Sequence, residues 1–137
     1  MIRVTIVAMA TLAGAAPATA ETKLPFIGAM IYATAQGCVK LKALAAGGQR
    51  NVQTAPEYLT ETGFGGWEGG CEFTAFTEKE TGKTFEVKMT CLEGEEEIES
   101  TDTFVVDPAT KAITVTEKGA TTSTVFLPCD APAPSFE

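Results

Sequence analysis

The side chains whose chemistry most clearly suggests a binding role form an acidic run after the third cysteine. Between residues 92 and 102 the chain carries six carboxylates and no lysine or arginine. A Ca²⁺ site would need oxygen ligands at fixed spacing, usually with Asp or Asn and a glycine that turns the loop, and this run lacks that pattern. A basic partner needs only clustered charge and fits the run better. We predict a solvated acidic loop over residues 93–102, with these candidate partner-binding residues: Glu93, Glu95, Glu96, Glu97 and Glu99.

Aromatic side chains in and near a glycine-rich stretch form a second candidate for partner binding. Tyr58, Phe64 and Trp67 lie close together in the sequence, and residues 63–70 are predicted to form a loop. Tyrosine and tryptophan often dominate contact energies at interfaces, so these residues could form a recognition patch. The alternative is that Trp67 folds back as a lid over the end of the domain, because a single tryptophan in a small domain is usually well buried.

Histidine is absent from the chain, which removes the commonest general base and metal ligand at once. A Ser–His or Cys–His nucleophile is therefore impossible. Glu68 and Glu72 flank Cys71, but eighteen acidic residues produce such carboxylate pairs by chance. The sequence predicts no catalytic residue, metal or cofactor, and we do not expect an enzyme.

The four cysteines, an even number in an exported chain, predict two disulfide bonds. They are Cys38, Cys71, Cys91 and Cys129. A metal site or a redox pair is not expected, because there is neither a C-x-x-C pair nor a histidine. Three connectivities are possible. We favour 38–71 with 91–129, because a 71–91 bridge would repeat contacts that a hairpin already makes.

The first twenty residues have the features of a secretory signal peptide. Arg3 precedes an apolar run over residues 4–13, and Ala18-Thr19-Ala20 forms a small-residue cleavage site. The apolar run is too short to span a membrane. We therefore predict a periplasmic or secreted protein whose single domain covers residues 21–129, followed by a disordered tail over 130–137.

The charge balance restricts the class of partner. The whole chain has ten basic and eighteen acidic residues, a net charge of −8, and loss of Arg3 with the signal peptide makes it more negative still. Nucleic acid and anionic membrane surfaces are therefore poor partners. A cationic protein or peptide would be attracted at long range.

A β-hairpin between the second and third cysteines is the strongest structural pattern. Its predicted arms are residues 71–76 and 84–91, with Gly82 in the connection. Pairing residue 73 with 89 and residue 75 with 87 places the alternating apolar side chains on one face. Phe76 then lies on the polar face, either as a hydrophobe under a loop, which we favour, or as part of a contact patch.

The remaining chain predicts short strands separated by polar turns. Further strands are expected at 28–34, 57–60, 103–106, 112–117 and 123–127, and residues 21–25 are expected to be a loose leader. Residues 38–46 favour a short helix that ends before Gly47-Gly48. Residues 107–110 have the Asp-Pro pattern of a type I turn. The fold class is therefore mainly β, an antiparallel meander that forms a small sandwich or barrel, with the helix covering one open end or edge.

The layout of the cysteine-bearing segments resembles that of small exported bacterial proteins of unknown function. The shared elements are a strand followed by Gly37-Cys38, residues 67–71 (WEGGC), a central Cys91 and a last strand ending in Cys129. In format the chain is also similar to bacterial periplasmic lysozyme inhibitors. These resemblances imply no assigned activity. We expect a binding protein, or alternatively a structural or accessory envelope protein without a dedicated ligand site.

Overall fold

The computed structural model describes residues 22–47, 57–66 and 69–134. The predicted signal peptide, Trp67 and residues 135–137 lie outside the described residues. The chain forms a closed antiparallel barrel of eight strands in sequence order, with one helix. The predicted antiparallel meander is confirmed, and of the two architectures left open the structure is the barrel.

Each strand pairs with the next along the chain, and the last pairs with the first. One helix, α1, spans Ala35–Ala45 and separates the first two strands. The strands are β1 Ile31–Ala33, β2 Tyr58–Leu59, β3 Gly63–Gly65, β4 Cys71–Glu80, β5 Thr84–Glu93, β6 Glu96–Val106, β7 Ile113–Glu117 and β8 Thr124–Cys129. Among the described residues, no helix is long and apolar enough to cross a bilayer.

Inward-facing side chains from alternate strand positions fill the barrel. Phe104 is fully buried at its centre, with the rings of Phe64 and Phe73 at centroid distances of 5.9 and 5.8 Å. In β7, Ile113 and Val115 point inward as predicted. Tilted and edge-to-face aromatic contacts of this kind add to the stabilisation from apolar burial.

The segment predicted to be a loose leader instead closes one part of the core. Leu24 is only 1% exposed, and its N–H donates to the Glu61 carbonyl oxygen at 2.8 Å. The Phe26 ring lies 4.4 Å from that of Phe85. Residues 25–30 form turns, so β1 begins three residues later than predicted. The leader prediction is wrong for residues 22–25, because Leu24 is part of the barrel core and its backbone is hydrogen-bonded to Glu61.

A β-bulge changes the predicted register of the central hairpin. Phe73 pairs with Met89 as predicted, but beyond a register shift Ala75 pairs with Lys88. Phe76 then pairs with Val87 and so lies on the inner side, with its ring 6.3 Å from Phe85 and 37% of the residue exposed. The predictions that 75 pairs with 87 and that Phe76 lies on the polar face are wrong, because one extra residue reverses the alternation.

Helix α1 begins three residues earlier than predicted and packs outside the barrel. Thr34 caps it, since the threonine Oγ1 accepts a hydrogen bond of 3.0 Å from the Gly37 N–H. Gly47 follows the last turn with φ +82°, a conformation typical of a helix C-terminus. Leu41 is buried against Ile31 and Ala33 of β1, so the helix covers the outer face of the sheet rather than an open end.

All four cysteines form disulfides, but with a different connectivity from the one we favoured. Cys38 of α1 bonds to Cys129, and Cys71 bonds to Cys91. Cys129 lies on the outer face of β8 under the helix, whereas Cys71 and Cys91 are directly opposed, 4.0 Å apart at Cα. The pairing follows from which face of the sheet each cysteine occupies. Two disulfides indicate an oxidising, extracellular-type environment.

Two predicted loops are partly strands. The predicted acidic loop is wrong, because β5 runs to Glu93 and β6 begins at Glu96, leaving only Gly94 and Glu95 as the turn. Residues 63–65 of the predicted glycine-rich loop are β3. The strands predicted at 57–60, 112–117 and 123–127 are confirmed within two residues at each end. The strand predicted at 103–106 is confirmed as the end of β6, which begins earlier, at Glu96.

Candidate functional site

One end of the barrel holds a cavity of about 280 Å³ with an apolar floor and an acidic rim. The floor is formed by Phe64, Met89, Val115 and Phe126 together with the Cys71–Cys91 disulfide. The rim carries three carboxylates, those of Glu57, Asp102 and Glu117, and the hydroxyls of Ser100, Thr122 and Thr124. We call this cavity and its three carboxylates the acidic mouth.

Asp102 is the most buried of the three acids. It has the same parity in β6 as the core residues Phe104 and Val106, so its side chain points into the barrel. Only 7% of the residue is exposed, and the Ser100 Oγ donates a hydrogen bond of 3.1 Å to Asp102 Oδ1. Burial and the neighbouring Glu117 carboxylate raise the pKa of Asp102, while the Ser100 hydrogen bond opposes the rise.

Glu117 and Glu57 complete the acidic rim from two other segments. Glu117 is the direct cross-strand partner of Asp102 in the β6–β7 register. Glu57 immediately precedes β2. Burial, and then the charges of Asp102 and Glu117, raise the pKa of Glu57. The acidic mouth therefore concentrates negative charge in a partly enclosed space.

No basic side chain neutralises this charge in the described part of the chain. The ion pairs found there join Lys23 to Glu61 and Lys83 to Glu80, both away from the cavity. Nor do the described residues include a group of three or more His, Cys, Asp or Glu arranged to hold a metal ion. The arrangement can accept hydrogen bonds from a cationic group and surround an apolar body.

The predicted partner-binding glutamates lie on the β5–β6 hairpin, next to the acidic mouth. We call its outer part, residues 92–101, the acidic arm. Its turn is Gly94 and Glu95, and its apolar side chains Leu92 and Ile98 are exposed. The glutamates of the acidic arm are Glu93, Glu95, Glu96, Glu97 and Glu99, and all of them are exposed.

The predicted aromatic patch does not form from the described residues. Phe64 is only 8% exposed and points into the barrel, where it lines the acidic mouth instead of an exterior aromatic patch. Tyr58 lies on the outer face, where its ring covers Gly65 and leaves no space for a Cβ atom there. The two side chains therefore lie on opposite sides of the sheet, and Trp67 is not among the described residues.

Sequence reasoning missed the acidic mouth, although part of its signal was present. Asp102 follows the alternation of Phe104 and Val106, and Glu117 follows that of Ile113 and Val115. A carboxylate at a core position of a strand indicates either a strand end or a site. Which acids come together depends on the register between strands, and that was not visible in the sequence.

Comparisons with known proteins add no family to this description. No protein-family model matches the chain, and neither a curated protein nor a solved structure matches it. Function therefore has to be inferred from the geometry of the chain's own residues.

Proposed function

We propose that this chain is an exported binding protein that recognises a basic, extended polypeptide segment along the acidic arm. The observation that carries the proposal is the length of β6. Its pairing with β7 covers only Asp102 to Val106, whereas its pairing with β5 extends to Glu96. In the described residues, the stretch from Glu96 to Ser100 therefore has a partner strand on one side only.

The chain leaves this edge abruptly after β7. The Lys118 N–H donates to the Thr101 carbonyl oxygen at 3.2 Å, and the chain then turns, with the Ala120 N–H bonded to the Glu117 carbonyl oxygen at 3.0 Å. In an antiparallel strand, alternate residues direct both backbone groups to the same side. Since Thr101 faces the β7 side, Glu97 and Glu99 direct their N–H and C=O groups to the open edge.

An open strand edge is a ready template for an added strand. The carboxylates decide which strand fits. A second copy of the same acidic edge would be repelled, which is one way proteins prevent edge-to-edge aggregation. A segment with lysine or arginine at alternate positions would instead form cross-strand charge pairs with Glu97 and Glu99.

The test is a titration with a short synthetic peptide in which lysine alternates with threonine, followed by amide NMR shifts. We expect the largest shifts at Glu97 and Glu99, and an affinity that falls steeply between about 20 mM and about 500 mM salt. A peptide with glutamate in place of lysine is the matched control and should not bind.

Two variants separate charge from strand addition. Glu99→Gln removes one charge and keeps the N–H, whereas Glu99→Pro also removes the N–H that faces the open edge without removing a bond to β5. We expect a modest loss of affinity in the first and a larger loss in the second. Equal affinity of Glu99→Pro and Glu99→Gln would overturn strand addition, and absence of any binding at low salt would overturn the proposal itself.

Export is the remaining component of the proposed function. The two disulfides support it, since such bonds persist in oxidising compartments. We propose cleavage after Ala20 and release into the periplasm or the medium. The mass of the protein purified from a bacterial periplasm should correspond to a chain beginning at Glu21, and an uncleaved cytoplasmic product would contradict this step.

A further inference from the structure

We propose that the acidic mouth binds an ammonium group carried on a short apolar stem. This site adjoins the acidic arm, with which it shares Ser100, and its ligand is an ammonium group instead of the backbone of an added strand. The ammonium group would lie between the carboxylates of Asp102 and Glu117, with the stem on the apolar floor. Three independent features of the cavity support this assignment.

The first feature is a buried carboxylate with unused hydrogen-bonding capacity. Asp102 Oδ1 accepts a bond from Ser100, but in the described ranges no donor reaches Oδ2, which remains open to the cavity. Only 7% of the Asp102 residue is exposed, so its charge has limited access to water, and a ligand or a proton would compensate this cost. An ammonium group supplies both the charge and the donor.

The second feature is the direct cross-strand opposition of two acids. Asp102 and Glu117 are partners in the β6–β7 register, and both have the inward parity of their strands. Like charges directly opposite each other destabilise a sheet. A cation between them converts the repulsion into two favourable contacts, and Glu57 adds a third carboxylate nearby.

The third feature is the composition and size of the cavity. Its volume of about 280 Å³ corresponds to roughly nine water molecules at about 30 Å³ each. The lining is mixed, with carboxylates and hydroxyls beside the apolar side chains of Phe64, Met89, Val115 and Phe126, and this composition suits a charged head on a short apolar stem. The ligand chemistry is shared by a free alkylamine and by a lysine side chain of another protein.

The experiment is a titration of the disulfide-bonded protein with n-hexylammonium chloride, with 1-hexanol as the neutral probe of the same stem. We expect saturable shifts of the amide signals of Ser100, Asp102 and Glu117, and binding of 1-hexanol at least about tenfold weaker. Nα-acetyl-lysine methylamide distinguishes the sources, since its binding would show that the site accepts a protein side chain. Binding of hexylammonium alone would assign a free amine.

Three variants complete the test. Asp102→Asn and Glu117→Gln should each lower the affinity for hexylammonium about tenfold or more. Glu72→Gln, the same loss of charge on an exposed outward position of β4, should leave it unchanged. Equal binding of 1-hexanol, or unchanged binding by both cavity variants, would overturn the proposal. Glu99→Gln should not affect hexylammonium binding, so failure of the arm proposal and failure of this one are distinguishable.

Discussion

Replacing Asp102 by asparagine should stabilise the ligand-free protein at neutral pH. The substitution keeps the side-chain shape and leaves an oxygen that can accept the Ser100 hydrogen bond. It removes a charge that is buried and directly opposed to Glu117. Most substitutions at a nearly buried position destabilise a protein, so the expected sign is unusual.

The magnitude follows from the cross-strand repulsion and the burial. Like charges opposite each other cost up to about 1 kcal/mol in a sheet. Because Ser100 already compensates part of the burial of Asp102, we expect a gain of about 1 kcal/mol in the free energy of unfolding. For a domain of this size, that corresponds to a rise in Tm of roughly 4 °C.

The pH dependence of stability provides a second, independent test of the same reasoning. The pKa of Asp102 is raised in the folded protein, so between the ordinary aspartate pKa of about 3.9 and the raised value the native state binds more protons than the unfolded state. Stability from this group is therefore lost as pH rises through that window, and the penalty is complete above it. Glu57 acts in the same direction and Asp107 in the opposite one, because backbone hydrogen bonds lower the pKa of Asp107.

The assay is urea unfolding of the oxidised protein at about pH 7.5 and about pH 3.5, below the ordinary aspartate pKa, for the wild type, Asp102→Asn and the surface control Glu72→Gln. The gain from Asp102→Asn should be largest at the higher pH and should shrink at the lower one. A variant that is less stable than the wild type at the higher pH, or whose gain does not depend on pH, would refute the assignment of Asp102 as an uncompensated buried charge.

Three further changes test the fold. Leu24→Ala should lower the free energy of unfolding by about 2–5 kcal/mol in urea titrations, because Leu24 fills part of the core. A change near zero would support the prediction that residues 21–25 are a loose leader. Gly63→Ala should be much more destabilising than Gly65→Ala in the same assay. A Cβ atom at Gly63 meets the backbone carbonyl of Cys71, whereas a Cβ atom at Gly65 meets the ring of Tyr58, which can move. Equal losses of stability in the two variants would contradict this reasoning. By the chain-entropy relation, removing the 38–129 disulfide, which spans 91 residues, should lower the free energy of unfolding by about 4.6 kcal/mol, against about 3.3 kcal/mol for the 71–91 bridge, which spans 20. The two bridges are compared as paired alanine variants, and a larger loss of stability for the shorter bridge would show that its contacts in the cavity floor matter more than the chain entropy.

The alternation of apolar and polar residues correctly predicted which side chains face the core wherever a strand is regular. Ile113 and Val115 are buried as predicted, and Phe73 pairs with Met89 as predicted. The same rule failed after the bulge near Thr74, because one inserted residue reverses the side chains that follow it, up to a second register shift between Glu78 and Glu80. Nothing in the composition of residues 71–80 indicates where that bulge lies.

The predictions of the disulfide pairing and of an acidic loop were wrong for different reasons. The pairing depends on whether each cysteine faces the barrel interior or the helix, and this distinction requires the sheet to be closed. The acidic arm was predicted to be a loop because glutamate-rich composition normally excludes a buried strand. Its outer part has no core to cover, so paired backbone and exposed side chains are compatible there.

The arm and the mouth meet on one strand, and this proximity suggests how a single partner could use both. Along β6, Glu97 and Glu99 project from the outer face, while Ser100 and Asp102 line the cavity. β7 ends opposite Asp102, so the open edge begins where the acidic rim ends. A strand added beside Glu96 to Ser100 would place its residue opposite Ser100 at the cavity entrance, with its side chain on the inner face. A lysine at that register would carry an ammonium group on an apolar stem toward Asp102, so a basic partner could combine strand addition with insertion into the acidic mouth.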